Sequence, residues 1–574
     1  MPASNARVAA QLAEIADLLE IDGANTFRVR AYRDAARTVG SLPRSLTEML
    51  AQGEDLDALP GIGADLAAKI ATLAEGKNLP VLEALHAKMS RGIIALLALP
   101  GLGPKRVHRL HEALGIDSID KLRTALAAGA VARLPGVGAA VAEKLSAALE
   151  RDPGQKPRAL LRAADAIAAP LLAALRAAPH VEQADVAGSC RRRRETIGDL
   201  DFVAAASGSE PLMQCFLGYE EVAEVREHGK TRASVLLDRG RLQVDLRAVR
   251  PPSYGAALLY FTGSQAHTIQ LREIARERGL TLNEYGLFKG SRRLKAGSEA
   301  EIYAALGLRF IPPELREAEG EIEAARSGHL PELVSVEDLR GDLHLHTIAT
   351  DGHASLEEMA LAAKARGHAY IAVTDHSQRM AMAHGLDAER LAGQITAIGK
   401  LKRELTGITV LAGIEVDILE DGNLDLPDSI LQRLDLVVGS IHTGFDLSER
   451  KQTERLLRAM DNPYLNVVGH PTGRLINRRA PYAIDMERVM KGALERGCYL
   501  EVNAQPERLD LSAHHCRLAK ELGLKLAISS DAHSPADFGR IGYGVDQARR
   551  GWLEAADILN TRPLPELRKL LARK

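Results

Sequence analysis

The stretch GSCRRRRETIGDLDF, residues 188–202, sets four consecutive arginines just ahead of a D-x-D pair, Asp199 and Asp201. Carboxylates this close repel each other unless cations sit between them, whereas guanidinium groups pair with phosphate oxygens. GDLDFVAAA reads as a strand, and alternate residues of a strand share a face, so Asp199 and Asp201 point together. Further on, LQVDLRAV reads as another strand that brings Asp245 beside them. Three carboxylates on neighbouring strands make an oxygen-only site for one or two Mg²⁺ ions. VEQADVAGS reads as a strand ending in Gly188-Ser189, whose backbone, with the arginines, would grip phosphates. Solvent exposure explains a D-x-D or an arginine run when either stands alone. Together, behind G-S, they suit a nucleoside triphosphate with its metals.

A second group lies beyond residue 340. Short apolar runs separated by helical stretches end as GDLHLHT, YIAVTDHS, VLAGIEVD, LVVGSIHTG, LNVVGHPTG, CYLEVNA and LAISSDAHS. Seven such units predict a parallel barrel whose strand C-termini converge on one face. Those ends carry His344, His346, Asp375-His376, Glu415, His442, His470, Asp531 and His533, with Asp351 in the first loop. One histidine on a strand is ordinarily a satisfied polar group. The same placement in consecutive units predicts a metal centre, and mixed imidazole and carboxylate ligands suit Zn²⁺, Mn²⁺ or Fe²⁺ better than Mg²⁺. His353, His368, His384, His514 and His515 read as surface or substrate-side residues.

These sites need scaffolds. A chain of 574 residues exceeds one hydrophobic core and divides into several domains. Near the N-terminus, LPGIG (59–63), LPGLG (99–103) and LPGVG (134–138) each lie between helical patterns. Gly61, Gly63, Gly101, Gly103, Gly136 and Gly138 would leave backbone N–H groups bare at helix starts, an anion site that holds a DNA phosphate without reading a base. A single copy is a plain helical turn; three copies argue for sequence-independent backbone binding and resemble the helix-hairpin-helix of DNA repair proteins. Residues 151–300 carry 23 Lys/Arg against 18 Asp/Glu, a modest surplus that nucleic acid or a solvated face explains equally well. Aromatics at 3% argue against a dedicated single-strand binder. Four cysteines without a C-x-x-C fit a reducing cytoplasm, and no membrane span or leader is expected.

The 188–202 stretch resembles the palm motif G-S-x-R-R-x-x-E-x-x-G-D-x-D of family X DNA polymerases, matched at Gly188, Ser189, Arg191, Arg192, Glu195, Gly198, Asp199 and Asp201. The resemblance implies that Asp199, Asp201 and Asp245 are the catalytic metal acids and that Gly188, Ser189, Arg192 and Gly198 form the triphosphate site. Residues 257–285 resemble the nucleotide-selection subdomain. There Tyr260 and Phe261 would lie against the incoming sugar, Gly263 would turn the chain, and Arg272 would face the template. Thr268 stands where relatives often place a base-contacting asparagine. FRVRAYRDAARTV, with Tyr32, resembles the small lyase domain, and Lys69 falls on its Schiff-base lysine. Asp65 stands where relatives carry a DNA-binding lysine. Arg247 is expected to pair with a catalytic acid until metal binds.

The seven strand ends resemble the polymerase-and-histidinol-phosphatase (PHP) domain and its trinuclear site. By motif, His344, His346, Glu415 and Asp531 would hold one metal. Glu415, His442 and His470 would hold a second, and Asp351, His376 and His533 a third. Asp375 would steady a histidine.

The expected fold is therefore multidomain: an all-α helix-hairpin-helix N-terminal region, an α+β nucleotidyltransferase palm and a C-terminal seven-stranded (β/α)7 PHP barrel. Expected boundaries are 1–84 (lyase-like), 85–152 (DNA-binding), 153–252 (palm), 253–318 (nucleotide selection), 319–339 (acidic linker) and 340–574 (PHP). The implied enzyme is a DNA polymerase filling short gaps in repair, with a 3′–5′ exonuclease and an abasic-site activity. It would use Mg²⁺ or Mn²⁺ in the palm, three divalent ions in the barrel, gapped or nicked DNA, and dNTPs. A nucleoid-associated cytoplasmic monomer is expected. The rival readings are a nuclease or phosphoesterase with a weak palm, and a DNA-end scaffold.

Overall fold

A computed structural model of the protein describes residues 5–42, 46–59, 61–77, 79–89, 91–97, 99, 102–134, 137–138, 141–142, 145–146, 158–237 and 242–573. The chain forms two compact units, residues 1–156 and 157–574.

The described part of the first unit is helical. Helices Asn5–Ile21 and Thr26–Ser41 bury Val8, Leu12, Ile15 and Leu19 together with Val29, Tyr32 and Val39, apolar residues at helical spacing. Asn25 caps the second helix by accepting from the Phe27 N–H at 2.9 Å. The three repeated turns close alike. The N–H groups of Ile62, Leu102 and Val137 donate to the carbonyls of Leu59, Leu99 and Leu134, each at 3.1 Å. The donor's side chain is buried every time. Gly63 and Gly103 then occupy the N-caps of helices Ala64–Ala74 and Pro104–Leu114. Gly61 and Gly138 adopt positive φ, the conformation that makes glycine the apt residue there. Gly101 and Gly136 lie outside the described residues.

The second unit begins with a five-stranded sheet ordered Val181–Val186, Asp199–Ala206, Gln243–Val249, Arg232–Leu237, Val222–His228. Strand Gln243–Val249 alternates strictly. Val244, Leu246 and Ala248 enter the core, while Gln243, Asp245 and Arg247 face the other way. Helix Leu161–Ala177 covers the apolar face through Ile167, Leu171 and Leu175. The expected strand through Ser189 stops at Val186, and Gly188–Arg191 is one helical turn. Gly188 has φ +58°, which ends the extended run.

Helices Tyr254–Thr262 and Gln265–Glu277, a three-stranded sheet and helix Glu299–Ala305 follow. Residues 319–339 are not the free acidic linker their composition predicted. Helix Glu321–Ser327 buries Glu321, Ile322 and Ala325. Glu321 Oε1 lies 2.6 Å from His267 Nδ1 and accepts the Ala318 N–H at 2.9 Å. Acids that read as solvated are here consumed by a buried imidazole and backbone donors.

The barrel strands Gly341–Asp342, Tyr370–Val373, Thr409–Asp417, Leu436–Ser440, Val467–Val468, Tyr499–Asn503 and Leu526–Ser529 pair in sequence order, all parallel. A bridge between Leu345 and Ala532 brings the first and last strands together. Tyr370–Val373, Leu436–Ser440 and Leu526–Ser529 are buried throughout, as a parallel sheet covered on both sides requires.

Candidate active sites

In the five-stranded sheet, Asp201 and Asp245 are register partners on adjacent parallel strands, and Asp199 pairs with Gln243. The period of two therefore gathers Asp199, Asp201 and Asp245 on one face. Gln243 Nε2 donates to Asp245 Oδ2 at 2.9 Å, and Asp245 Oδ1 is buried without a hydrogen-bond partner. Burial, followed by the charges of Asp199 and Asp245, pushes the Asp201 carboxyl up to about 7. Packed acids with an orphaned oxygen are what a divalent cation relieves, so this all-oxygen donor set fits Mg²⁺ or a similar ion.

Gly188 abuts these acids so closely that a side chain there would collide with the Asp201 carboxylate. A side chain at Gly198 would crowd Arg158 Nη1 at 2.9 Å. The arginine run does not point as one group at a phosphate site. Arg191 makes a bidentate pair with Glu299, at 2.8 and 2.7 Å. Arg192 Nε reaches Glu317 at 3.0 Å and its Nη1 donates to the Thr262 carbonyl at 2.8 Å. Arg193 is bidentate to Asp165, at 2.7 and 2.9 Å, and contacts Asp546 at 2.8 Å. Arg194 lies 3.3 Å from Glu317. Carboxylates far away in sequence absorb the charge that seemed reserved for phosphate.

Tyr260 and Phe261 meet edge to face at 5.2 Å. Gly263 ends their helix, and the Ser264 hydroxyl caps the next by accepting from His267 N–H at 3.1 Å. Thr268 is buried; its N–H donates to the Ser264 carbonyl at 2.9 Å and its hydroxyl reaches the Tyr260 carbonyl at 3.4 Å. Arg272 is exposed beside Glu273 and Arg276 on a shallow cavity of about 250 Å³. Arg247, expected on a catalytic acid, lies instead over the Phe261 ring, 5.0 Å from its centroid. The Phe261 ring faces the cation, whose charge still favours the ionised form of Asp201.

In the first unit, Lys69 Nζ sits 2.5 Å from Asp65 and 5.6 Å from the Tyr32 ring. Burial alone would lower the Lys69 ammonium, but the bond to Asp65 and the neighbouring Tyr32 raise it. A Schiff-base nucleophile needs the reverse.

The barrel's strand ends converge on Glu415. Its Oε2 lies 2.7 Å from His376 Nδ1, 3.5 Å from His344 Nε2 and 3.7 Å from His346 Nε2. Its Oε1 lies 2.9 Å from His470 Nε2 and 3.4 Å from His442 Nε2. Asp531 Oδ1 is 3.1 Å from His346 Nε2 and 3.8 Å from His344 Nε2. Asp351 Oδ2 is 3.4 Å from His376 Nε2 and 3.5 Å from His533 Nε2. Among the described residues, three groups have ligand atoms mutually within 4.8 Å: His344, His346 and Asp531; His376, Glu415 and His442; and His346, Asp351, His376 and His533. His346 and His376 thus each border two groups, whereas the sequence reading shared Glu415 alone between two metals.

His344 Nε2, both nitrogens of His346, His470 Nδ1 and Asp351 Oδ1 are buried without hydrogen-bond partners. Donors left bare in a closed pocket fit divalent metal ions. His470 and Asp531 also hold positive φ, strain that the surrounding barrel maintains at this candidate site. Burial, then the charge of His376, lowers the His346 imidazole to about 4, which leaves it free to ligate. Burial opposes ionisation of Glu415, but His376, His344 and His442 hold its carboxyl well below the usual range.

The sequence did not reveal the residues that orient these ligands. Glu501 Oε1 contacts His344 Nδ1 at 2.7 Å, and its Oε2 accepts the His470 N–H at 2.7 Å. Asp417 Oδ1 holds His442 Nδ1 at 2.9 Å. Asp375 does not hold a histidine. It accepts from Thr347 N–H, Thr347 Oγ1 and Thr350 Oγ1 at 2.8, 2.7 and 2.6 Å, fixing the loop that leads to Asp351. His368 is buried beside Phe538 rather than on the surface; His353, His384 and His514 are exposed.

Residues 257–317 match the DNA polymerase beta thumb, 3–79 a helix-hairpin-helix domain, 93–151 a SAM-like helix-hairpin-helix tandem and 342–505 the PHP domain. The chain is 38% identical to the DNA polymerase/3′-5′ exonuclease PolX of Bacillus subtilis over 98% of each chain. Part of the chain resembles a probable phosphatase of Thermoanaerobacter sp., 34% identical over 38% of this chain and 89% of that protein. A probable phosphatase of Caldanaerobacter subterraneus is 36% identical over 36% of this chain and 80% of its own. With a three-acid palm, a thumb and a histidine-lined PHP barrel on one polypeptide, the chain belongs to the PolX family of bacterial family X DNA polymerases with 3′–5′ exonuclease.

Proposed function

We propose that this PolX enzyme fills short gaps during DNA repair and trims 3′ ends of the same DNA with its barrel. Its substrates are gapped or nicked DNA and deoxynucleoside triphosphates, and it works as a monomer in the cytoplasm near the nucleoid. One observation carries the reading: two chemically distinct donor sets on one chain, Asp199, Asp201 and Asp245 in the palm and the imidazole–carboxylate pocket around Glu415.

Asp199 and Asp201 hold Mg²⁺ or Mn²⁺ in the palm, and Asp245 orients the primer 3′-hydroxyl. Gly188 and Ser189 present backbone to the triphosphate, Arg192 supplies its positive charge, and Tyr260 and Phe261 bound the sugar. In the barrel, the ligands named above hold Mn²⁺, Zn²⁺ or Fe²⁺. Bound cations supply charge neutralisation at the phosphodiester and acidify attacking water or hydroxyl. The repeated glycine turns hold the DNA backbone, with Lys105, Arg106 and Arg109 beside Gly103. Abasic-site chemistry at Lys69 is at most a minor activity, given its partner Asp65.

A reading in which the barrel dominates over a weak palm draws support from the Arg192–Glu317 ion pair, which competes with a triphosphate for the same guanidinium. Primer extension and primer degradation, each with Mg²⁺ and with Mn²⁺, separate the readings. Asp199→Ala/Asp201→Ala abolishes extension alone, and His344→Ala abolishes degradation alone. A parent that extends no primer in either metal defeats the gap-filling proposal.

A further inference from the structure

Four arginines are more than a triphosphate site needs, and two of them, Arg193 and Arg194, fall between the fixed positions of the palm motif. We infer that the barrel helix Ile541–Arg550 is a positioning element for the polymerase site, holding the Gly188–Glu195 turn in place through Asp546 and Arg550. The inference rests on the polymerase reading of the palm.

The turn is gripped from two sides. On one side Gly188 presses against the Asp201 carboxylate with no room for a side chain. On the other, the barrel touches it at three successive points. Arg550 Nη1 donates to the Arg192 carbonyl at 2.8 Å. Asp546 accepts from Arg193 Nε at 2.8 Å. Arg474 clamps Glu195 at 2.8 and 3.2 Å. Arg193 has φ +55°, a conformation that non-glycine residues hold only when neighbours enforce it. Its guanidinium is divided between Asp165 of the palm and Asp546 of the barrel, with the Tyr543 ring 5.8 Å away. The barrel contacts therefore fall on the segment next to a metal acid, backbone included, and not on a remote face of the palm.

The mechanical consequence is specific. Without the helix's hold, Arg193 keeps only Asp165, and the turn presenting Gly188 and Ser189 loosens against Asp201. Nucleotide binding weakens while the acids that perform the transfer stay in place.

The test uses full-length Asp546→Asn and Arg550→Gln. The dNTP KM in primer extension rises by about tenfold with kcat within about twofold of the parent. Exonuclease activity of the same preparations is unchanged, and Asp546→Glu restores most of the KM. Independently of extension, backbone amides 188–195 exchange with deuterium faster in both variants. Parent-like KM and exchange in both variants overturn the inference, making the helix mere packing. Extension and degradation falling in step also overturn it, since the helix then supports the whole unit. A parent that extends nothing indicts the polymerase reading instead, and the exchange measurement still decides the inference.

Discussion

Glu501 Oε1 lies 2.7 Å from His344 Nδ1, so that nitrogen carries the proton and the bare Nε2 faces Glu415 and Asp531. The same carboxylate accepts the His470 N–H and the Asn503 side-chain amide, at 2.7 and 3.1 Å. One buried acid thus sets the tautomer of one candidate ligand and the backbone of another.

Replacing Glu501 with glutamine keeps the size and removes the charge. An acceptor that fixes a ligating imidazole contributes about 10- to 100-fold in metal affinity. Glu501→Gln is expected to lose barrel metal on dialysis, read by elemental analysis, and to degrade primers slowly while extending them at the parental rate. Full metal retention would refute this.

Gly188→Ala places a methyl group against the Asp201 carboxylate at a backbone φ of +58°. Neither the collision nor the strained backbone can relax without moving a metal acid. Extension is expected to fall by at least about a hundredfold. Degradation by the same preparation should not change, which distinguishes a local effect from misfolding.

Asp201 titrates near 7 because burial, and then Asp199 and Asp245, disfavour its charge. Below that pH an entering cation must displace a proton; above it the carboxylate is already ionised. The apparent Mg²⁺ affinity of the palm should therefore be flat at high pH and weaken by about tenfold per unit as pH falls below it. Mg²⁺ titrations of extension rate from pH 6 to 9 in a His344→Ala background give the curve.

Lys69 is held protonated by Asp65 and Tyr32. Borohydride trapping of the enzyme on abasic-site DNA should be weak. Because Asp65 is largely exposed, Asp65→Ala should increase trapping only about threefold. Lys69→Ala should trap nothing. Strong trapping by the parent would show that DNA binding rearranges this pair.

The clustering of the palm acids and of the barrel's imidazoles and carboxylates was legible because both follow simple periods. Asp199 and Asp201 are two apart on a strand, and the histidines recur at the ends of successive βα units. The repeated turns were legible for the same reason. What the sequence hid depends on distant pairing. Arg193 finds Asp546 353 residues away, and Arg191 finds Glu299 108 residues away, so the run looked like an idle phosphate grip. Glu501 and Asp417 sit in ordinary apolar strands, where nothing in the local pattern marks a carboxylate as a histidine's partner. Glu321 misled for the opposite reason. In an acid-rich stretch it reads as solvated, and only the fold brings His267 to it.

The segment once read as a linker bears on how this enzyme can be taken apart. Leu333 and Trp552 pack with one apolar cluster, Val334 belongs to the barrel's cluster, and the Val334 N–H donates to the Leu553 carbonyl at 3.0 Å. A fragment started at residue 340 would carry Trp552 and Leu553 away without their cover, leaving an oily scar prone to self-association. Dissection is better made near residue 156, where the chain already separates into units, than at the acidic stretch its composition recommends.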